Sequence, residues 1–190
     1  MKTKDIAFGG LMIALFIAIG FLFRGNTRTV QTYLEIIKSI VVAIAIRYIS
    51  PKARWVFPLA CLATSFIFIP IYESLIYNVP SIVGGYVIGI QKENNKKIIN
   101  YGIFFLVNSL MIVYEFVVFG FFMQTNLFVV YQDQAAIMLS KLFGCIISEP
   151  VVKVGFVLLM LGDSAFSAAV IFGLSQLVIK KLRGIMNNNL

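Results

Sequence analysis

Apolar runs of near-membrane length alternate with short polar breaks along the whole chain, and this pattern predicts helices over roughly 6–23, 33–49, 55–71, 73–90, 101–123 and 164–180. A less regular apolar stretch covers 135–161. Runs this dense exceed what a helix apolar on one face needs, so the fold class expected is all-α: a polytopic membrane protein forming a compact six-helix transmembrane bundle, one membrane-embedded domain over 1–190. The first run, Ile6 to Phe23, follows Lys2 and Lys4 as a secretory signal would. It is long enough to span, however, and continues into "FLFRGN" with no small-x-small cleavage site, so it reads as an uncleaved first helix.

Within that helix, in "GGLMIALFIAIG", Gly10, Ala14 and Ala18 recur every fourth position and form a smooth stripe. A helix that only has to cross lipid needs no such stripe, so another helix, from this chain or a partner, is expected to approach it. Gly84, Gly85 and Gly89 read as close-packing positions and not as a phosphate loop, because no Lys-Ser/Thr signature follows them. The stretch "AAIMLSKLFGCIISEPVVKVGFVLLMLGD" admits two topologies. As a continuous span it makes seven crossings and puts the basic "KKLRG" outside. As a broken or re-entrant element, interrupted at Glu149-Pro150 before the last helix, it keeps six crossings and the basic tail inside, the arrangement favoured by charge.

The composition agrees: 60% of residues are apolar and 13% charged. The net charge of +8 does not point to nucleic acid, because the basic residues fall in short clusters between apolar runs, with no basic stripe. Lys2, Lys4, Arg47, Lys52, Arg54, Lys92, Lys96, Lys97, Lys180, Lys181 and Arg183, eleven of the 16 basic residues, fall in the segments that are cytoplasmic if the amino terminus is. There is no histidine, and Cys61 and Cys145 lie in apolar segments without ligand spacing. Neither a disulfide nor a metal or other cofactor is expected. With no P-loop, Ser-His-Asp set or acidic metal cluster, the chain is expected not to be an enzyme, and an ATPase acting alone is excluded.

Ionisable groups at membrane depth are expensive and face a bundle interior or a wet cavity. Glu35, Glu73, Glu115 and Glu149, with Arg24, Arg28, Lys38, Lys141 and Lys153, fall toward the outer half in this topology, which predicts an outward-facing polar pocket. Glu115 stands about 21 Å into the fifth helix at about 1.5 Å per residue, with Asn108 two turns below on the same face. The two either share a cavity or tie helices together. Glu35 and Lys38, three apart, can pair near the membrane surface, where long side chains snorkel. Glu149 and Lys153 have the spacing of a helical ion pair beside Pro150. Tyr77 and Asn78 precede Pro80, which frees a backbone carbonyl, and Tyr77 is either an interfacial anchor or a stacking surface for a flat ligand. The candidate substrate-binding set is therefore Glu35, Lys38, Tyr77, Asn78, Asn108, Glu115, Lys141, Glu149 and Lys153.

The basic start before "KDIAFGGLMIALFIAIG", six short helices, the loop "QKENNKK" before the fifth and the basic end "VIKKLRG" resemble the integral substrate-binding (S) components of energy-coupling factor (ECF) vitamin transporters. Ala14-x-x-x-Ala18 matches the family's Ala-x-x-x-Ala surface for the transmembrane coupling subunit. The 124–163 connection is longer than that pattern has. The resemblance implies capture of a vitamin or related micronutrient in an outward pocket and delivery inward with the coupling subunit and two ATPase subunits of an ABC-type importer. It also implies a multi-pass protein of a bacterial cell membrane with both termini cytoplasmic, and gives Gly10, Ala14 and Ala18 the coupling role. Two other classes stay open: a scaffold of cell-envelope assembly, and an intramembrane enzyme on a lipid-linked substrate using Glu115 or Glu149.

Overall fold

A computed structural model describes residues 3–22, 28–91, 97–144 and 148–188. Their helices are α1 (Thr3–Leu22), α2 (Arg28–Tyr48), α3 (Val56–Phe68), α4 (71–90), α5 (Lys97–Met123), α6 (Leu127–Phe143) and α7 (Glu149–Asn188), with no strand among the described residues. Three stretches are long and apolar enough to cross a membrane: Thr3–Phe21, Lys97–Met123 and Glu149–Leu182. Helix α5 is the most apolar of the three and hardly buried within the protein, as expected of a helix that faces lipid.

Helix α2 is central. Phe16 and Ile17 of α1, Val42 and Ile46 of α2, Phe57 and Cys61 of α3 and Ile82 of α4 form one buried cluster. On its other side Ala43 meets Ile88, Phe104, Ala168, Ile171 and Ile179 from α4, α5 and α7. Helices α2 and α4 run parallel and approach closely because glycine allows it. A Cβ on Gly85 would stand 2.4 Å from the Ser39 carbonyl oxygen, and one on Gly89 would stand 2.6 Å from Ile46 Cβ. The close-packing role expected of these glycines is what they perform. Gly84 is looser: its Cβ would touch the Phe104 ring at 3.4 Å.

Helix α4 is one run built of Ile71–Glu73, a π-helical turn at Ser74–Asn78 and Val79–Ile90. Pro80 explains the wide turn. It has no N–H to donate, and its ring would collide with the carbonyl one α-turn back, so the chain widens there and Val79 N–H bonds to the Ser74 carbonyl five residues back.

Helices α5 and α7 pair antiparallel: Phe116 lies beside Phe156, Asn108 beside Ser164, and Phe104 beside Phe172. The expected break at Glu149-Pro150 and the separate last helix over 164–180 are corrected here. The sequence from Glu149 onward is one helix of 40 residues. Pro150 sits in its first turn, where a missing N–H leaves no bond unmade. The actual interruption comes just before it, where Gly144, at φ 66°, closes α6 in the left-handed conformation. Helix α6 contributes no buried residue and lies at the edge of the α5–α7 pair.

One end of the bundle collects positive charge. Asp5, near the start of α1, accepts hydrogen bonds from the Ser50 backbone N–H at 3.2 Å and the Ser50 hydroxyl at 2.7 Å, pinning α1 to the corner after α2. Arg47 donates to the Gln91 carbonyl, and Gln91 Nε2 donates to the Asn100 carbonyl at 2.9 Å. These contacts bring the start of α1, the α2–α3 corner, the end of α4 and the start of α5 together, and Ile179 adds the late turns of α7. Lys4, Arg47, Lys52, Arg54, Lys97, Lys180 and Lys181 thus belong to one end, as the charge pattern requires. Lys2, Lys92 and Lys96 lie outside the described residues, as does the Arg183 side chain.

Candidate functional site

The polar residues that the fold buries deepest meet at Lys38. Midway along α2 and only 3% exposed, its side chain turns into the bundle between α1, α3 and α4. The ammonium donates to Asn78 Oδ1 at 2.9 Å and lies 5.6 Å from the centroid of the Phe16 ring. This corrects the expectation that Lys38 snorkels at a membrane surface. The helix around it is flanked by other helices on both sides, so its long side chain has no path to a headgroup, and the partner it meets is on α4.

The partner is held in its own chain of bonds. Asn78 Nδ2 donates to Ser74 Oγ at 3.2 Å, the Ser74 hydroxyl donates to Ser65 Oγ at 3.2 Å, and the Ser65 hydroxyl donates to the Leu62 carbonyl at 2.8 Å. Every donor in the series points away from the lysine, so the series presents an acceptor, Oδ1, to the ammonium. Ser74 and Asn78, four residues apart, share the buried side of α4, toward α2 and α3. Ser81 adds a bond to the Tyr77 carbonyl at 2.9 Å, using a backbone oxygen next to Asn78 and close to Pro80. Glu35, one turn before Lys38 on α2, Glu73 on α4 and Cys61 of α3 are ionisable groups in its neighbourhood, and both carboxylates have further partners of their own. Glu73 itself accepts from the Tyr72 hydroxyl at 2.8 Å.

Of the expected binding set, Lys38 and Asn78 touch, with Glu35 and Tyr77 half-buried beside them. The others are elsewhere. Asn108 Nδ2 donates to the Ser164 carbonyl and to Ser164 Oγ, both at 3.2 Å, and Ser109 Oγ lies 2.8 Å from Ser164 Oγ. Its amide is therefore spent on tying α5 to α7, the second of the two roles the sequence left open. Glu115 is half-buried two turns further along α5. Glu149 and Lys153 form their ion pair at 2.5 Å in the first turns of α7, with side chains 76% and 54% exposed, and Lys141 is exposed on α6. Arg24 and the Arg28 side chain lie outside the described residues, as does Cys145.

Ser65, Ser74, Phe16 and Gly20 complete the centre but were not singled out from the sequence. The serines left a signal, since each places a hydroxyl inside a long apolar run, but a serine in such a run equally often bonds its own helix. No group of His, Cys, Asp and Glu suited to a metal occurs among the described residues. A concavity of about 210 Å³ lies away from this centre, at the α5–α6 corner between Phe116, Gly120, Thr125 and Phe128, and is lined by no ionisable side chain.

Gly10, Ala14 and Ala18 are all exposed on the outer side of α1, while Met12, Phe16 and Ile17 turn inward. A Cβ on Gly10 would meet nothing within 4 Å. The smooth stripe is thus not used by any helix of this chain among the described residues. Comparison with protein-family models, with characterised proteins and with solved structures finds no match to the chain.

Proposed function

We propose that the chain is the substrate-capture component of an ECF-type importer, sitting in a bacterial cell membrane and binding a small micronutrient at the Lys38–Asn78 centre. In this reading α1 to α5 and α7 make the six crossings, α6 lies at the outer surface, and the basic end with both termini is cytoplasmic. A transmembrane coupling subunit and two ATPase subunits complete the transporter.

The observation that carries the reading is the two-sidedness of α1. One side supplies Phe16 to the buried lysine, and the other offers a flat, unoccupied stripe of Gly10, Ala14 and Ala18 to a partner helix. A capture subunit needs both, one surface for the ligand and one for the machinery that moves it. A scaffold needs no buried charged centre, and an intramembrane enzyme would need its carboxylates near a reacting group. The Glu149 carboxylate is instead exposed and paired with Lys153.

The test is Ala14→Trp combined with Ala18→Trp. Because both positions face outward, the variant is expected to fold and to bind ligand as the parent does, while copurification of a coupling subunit and uptake in cells are lost. Retained copurification and uptake would rule out the stripe as the coupling surface. Catalytic turnover abolished by Glu115→Gln would favour the enzyme instead.

A further inference from the structure

We infer that the outer face of α7 around Asp163 is an intramembrane contact surface whose partner is a transmembrane helix of another protein, carrying a lysine or arginine at mid-bilayer depth. The inference does not depend on the capture function. It requires only that α5 and α7 span the membrane.

Asp163 lies inside the membrane-length stretch Glu149–Leu182. Its depth is set by the pairing with α5, because the next residue, Ser164, bonds to Asn108 near the middle of Lys97–Met123. That level is about 16 Å from one end of α5 and about 22 Å from the other at about 1.5 Å per residue, too far for so short a side chain to reach a headgroup. Ser164 turns into the α5–α7 contact and is 1% exposed, whereas Asp163 points out of the bundle. It makes no hydrogen bond or ion pair among the described residues. Its neighbours one turn before and after, Leu159 and Phe166, are apolar and 64% and 71% exposed. A carboxyl at membrane depth ordinarily turns into a bundle interior or a wet cavity, or meets a partner there. Lipid offers it no hydrogen-bond donor, so a helix that brings one relieves a large cost on arrival.

Charge then decides between the possible occupants. A twofold contact with a second copy through this face would bring two Asp163 carboxylates together in a medium of low dielectric. A head-to-tail contact fares no better, because the exposed lysines of this part of the chain stand at other levels. Lys153 lies about 15 Å before Asp163 along α7 and is paired with Glu149, Lys180 lies about 25 Å beyond it, and Lys141 closely follows Leu139, which packs at Gly155 about 12 Å before it. A foreign helix with a cation at the matching depth meets the charge directly. Glycine gives it room: Gly162 and Gly173, three turns apart beside Asp163, would each carry a Cβ that meets nothing within 4 Å, so another backbone can come close. The surface is separate from the α1 stripe, since α1 packs on one side of α2 and α7 on the other.

The experiment reconstitutes the purified full chain, donor-labelled at its carboxy terminus, in phosphatidylcholine vesicles with acceptor-labelled synthetic helices. These have about 23 leucine and alanine residues around a central lysine, leucine or glutamate, and association is read by energy transfer. The lysine helix is expected to bind roughly 5- to 30-fold more tightly than the leucine helix, the range for a polar contact between membrane helices. Moving the lysine two turns from the centre should lose that preference. Asp163→Glu should keep it and Asp163→Leu should abolish it. Because Asp163→Leu takes a polar group out of lipid, it should melt in detergent at or above the temperature of the parent, which separates lost binding from a lost fold. Equal binding of the lysine and leucine helices, tightest binding of the glutamate helix, or a lysine preference that survives Asp163→Leu overturns the inference. So does a lower melting temperature of Asp163→Leu, which would give the carboxyl an internal role, and so does energy transfer between copies of the chain that Asp163→Leu abolishes, which would make the partner a second copy. All these results leave the Lys38 centre and the α1 stripe, and with them the capture function, to their own test.

Discussion

The contrast between Gly85 and Gly10 makes a stringent test of the architecture, because the same Gly→Ala change is expected to have opposite signs at the two positions. In either helix, alanine gains about 1 kcal/mol of intrinsic helix preference over glycine. At Gly10 nothing opposes that gain, since the new methyl meets no atom within 4 Å. At Gly85 the methyl would stand 2.4 Å from the Ser39 carbonyl oxygen and 2.6 Å from Val42 Cβ, neither of which can rotate away. Ordinary contact requires α2 and α4 to separate by about 1 Å, and overpacking of this kind costs about 1–3 kcal/mol. Because the propensity term is common to both variants, their difference isolates the clash. Thermal unfolding of the two proteins in the same detergent should place Gly85→Ala below Gly10→Ala by roughly 2–12 °C, taking about 2–4 °C per kcal/mol for a chain of this size. A Gly85→Ala protein that melts at or above Gly10→Ala would refute the α2–α4 packing, and with it the placement of Asn78 opposite Lys38.

The remaining predictions probe the α5–α7 pair and the basic end. Asn108→Ala and Ser164→Ala should each destabilise by about 0.5–1.5 kcal/mol, and the double variant by less than the sum, because they share one set of bonds. Additive losses in a double-mutant cycle would show that the pair does not interact, and ligand affinity should be unchanged throughout. Asp5→Ala removes the acceptor of two Ser50 bonds, so amide hydrogen exchange at Ser50 should accelerate while the centre around Lys38 stays protected. Unchanged exchange at Ser50 would remove Asp5 from that corner.

Much of the architecture was legible because it follows from where apolar surface can go. The breaks between apolar runs located α1 to α5, and the clustering of lysine and arginine foretold that the basic segments meet at one end. Gly85 and Gly89 were readable as packing positions because their spacing has a steric meaning, whereas Gly84, read the same way, makes only ordinary contacts. What the residues alone did not reveal is which neighbour a polar side chain chooses. Glu35 and Lys38 are spaced to pair along their own helix, yet Lys38 reaches Asn78, forty positions away, because α2 is buried on both sides. Lys38 and Ser39 of that central helix turn inward, whereas α5, the most apolar of the three membrane-length stretches, is hardly buried. The proline at 150 misled for a related reason. Proline ends or kinks a helix in its interior but starts one at its first turn, and only the preceding turn at Gly144 shows which applies.

Helix α7 joins the two ends of the protein as a single stiff member. Its 40 residues extend about 60 Å at about 1.5 Å per residue, roughly twice the hydrocarbon thickness of a bilayer. Its start pairs with the late turns of α5, its middle with Asn108, and its late turns reach the packing around Ala43 and Ile88 beside the basic surface. A rod of that length works as a lever. A tilt of about 10° about Glu149 would carry Lys180 through about 8 Å, and only by breaking the packing of its late turns on Ala43 and Ile88.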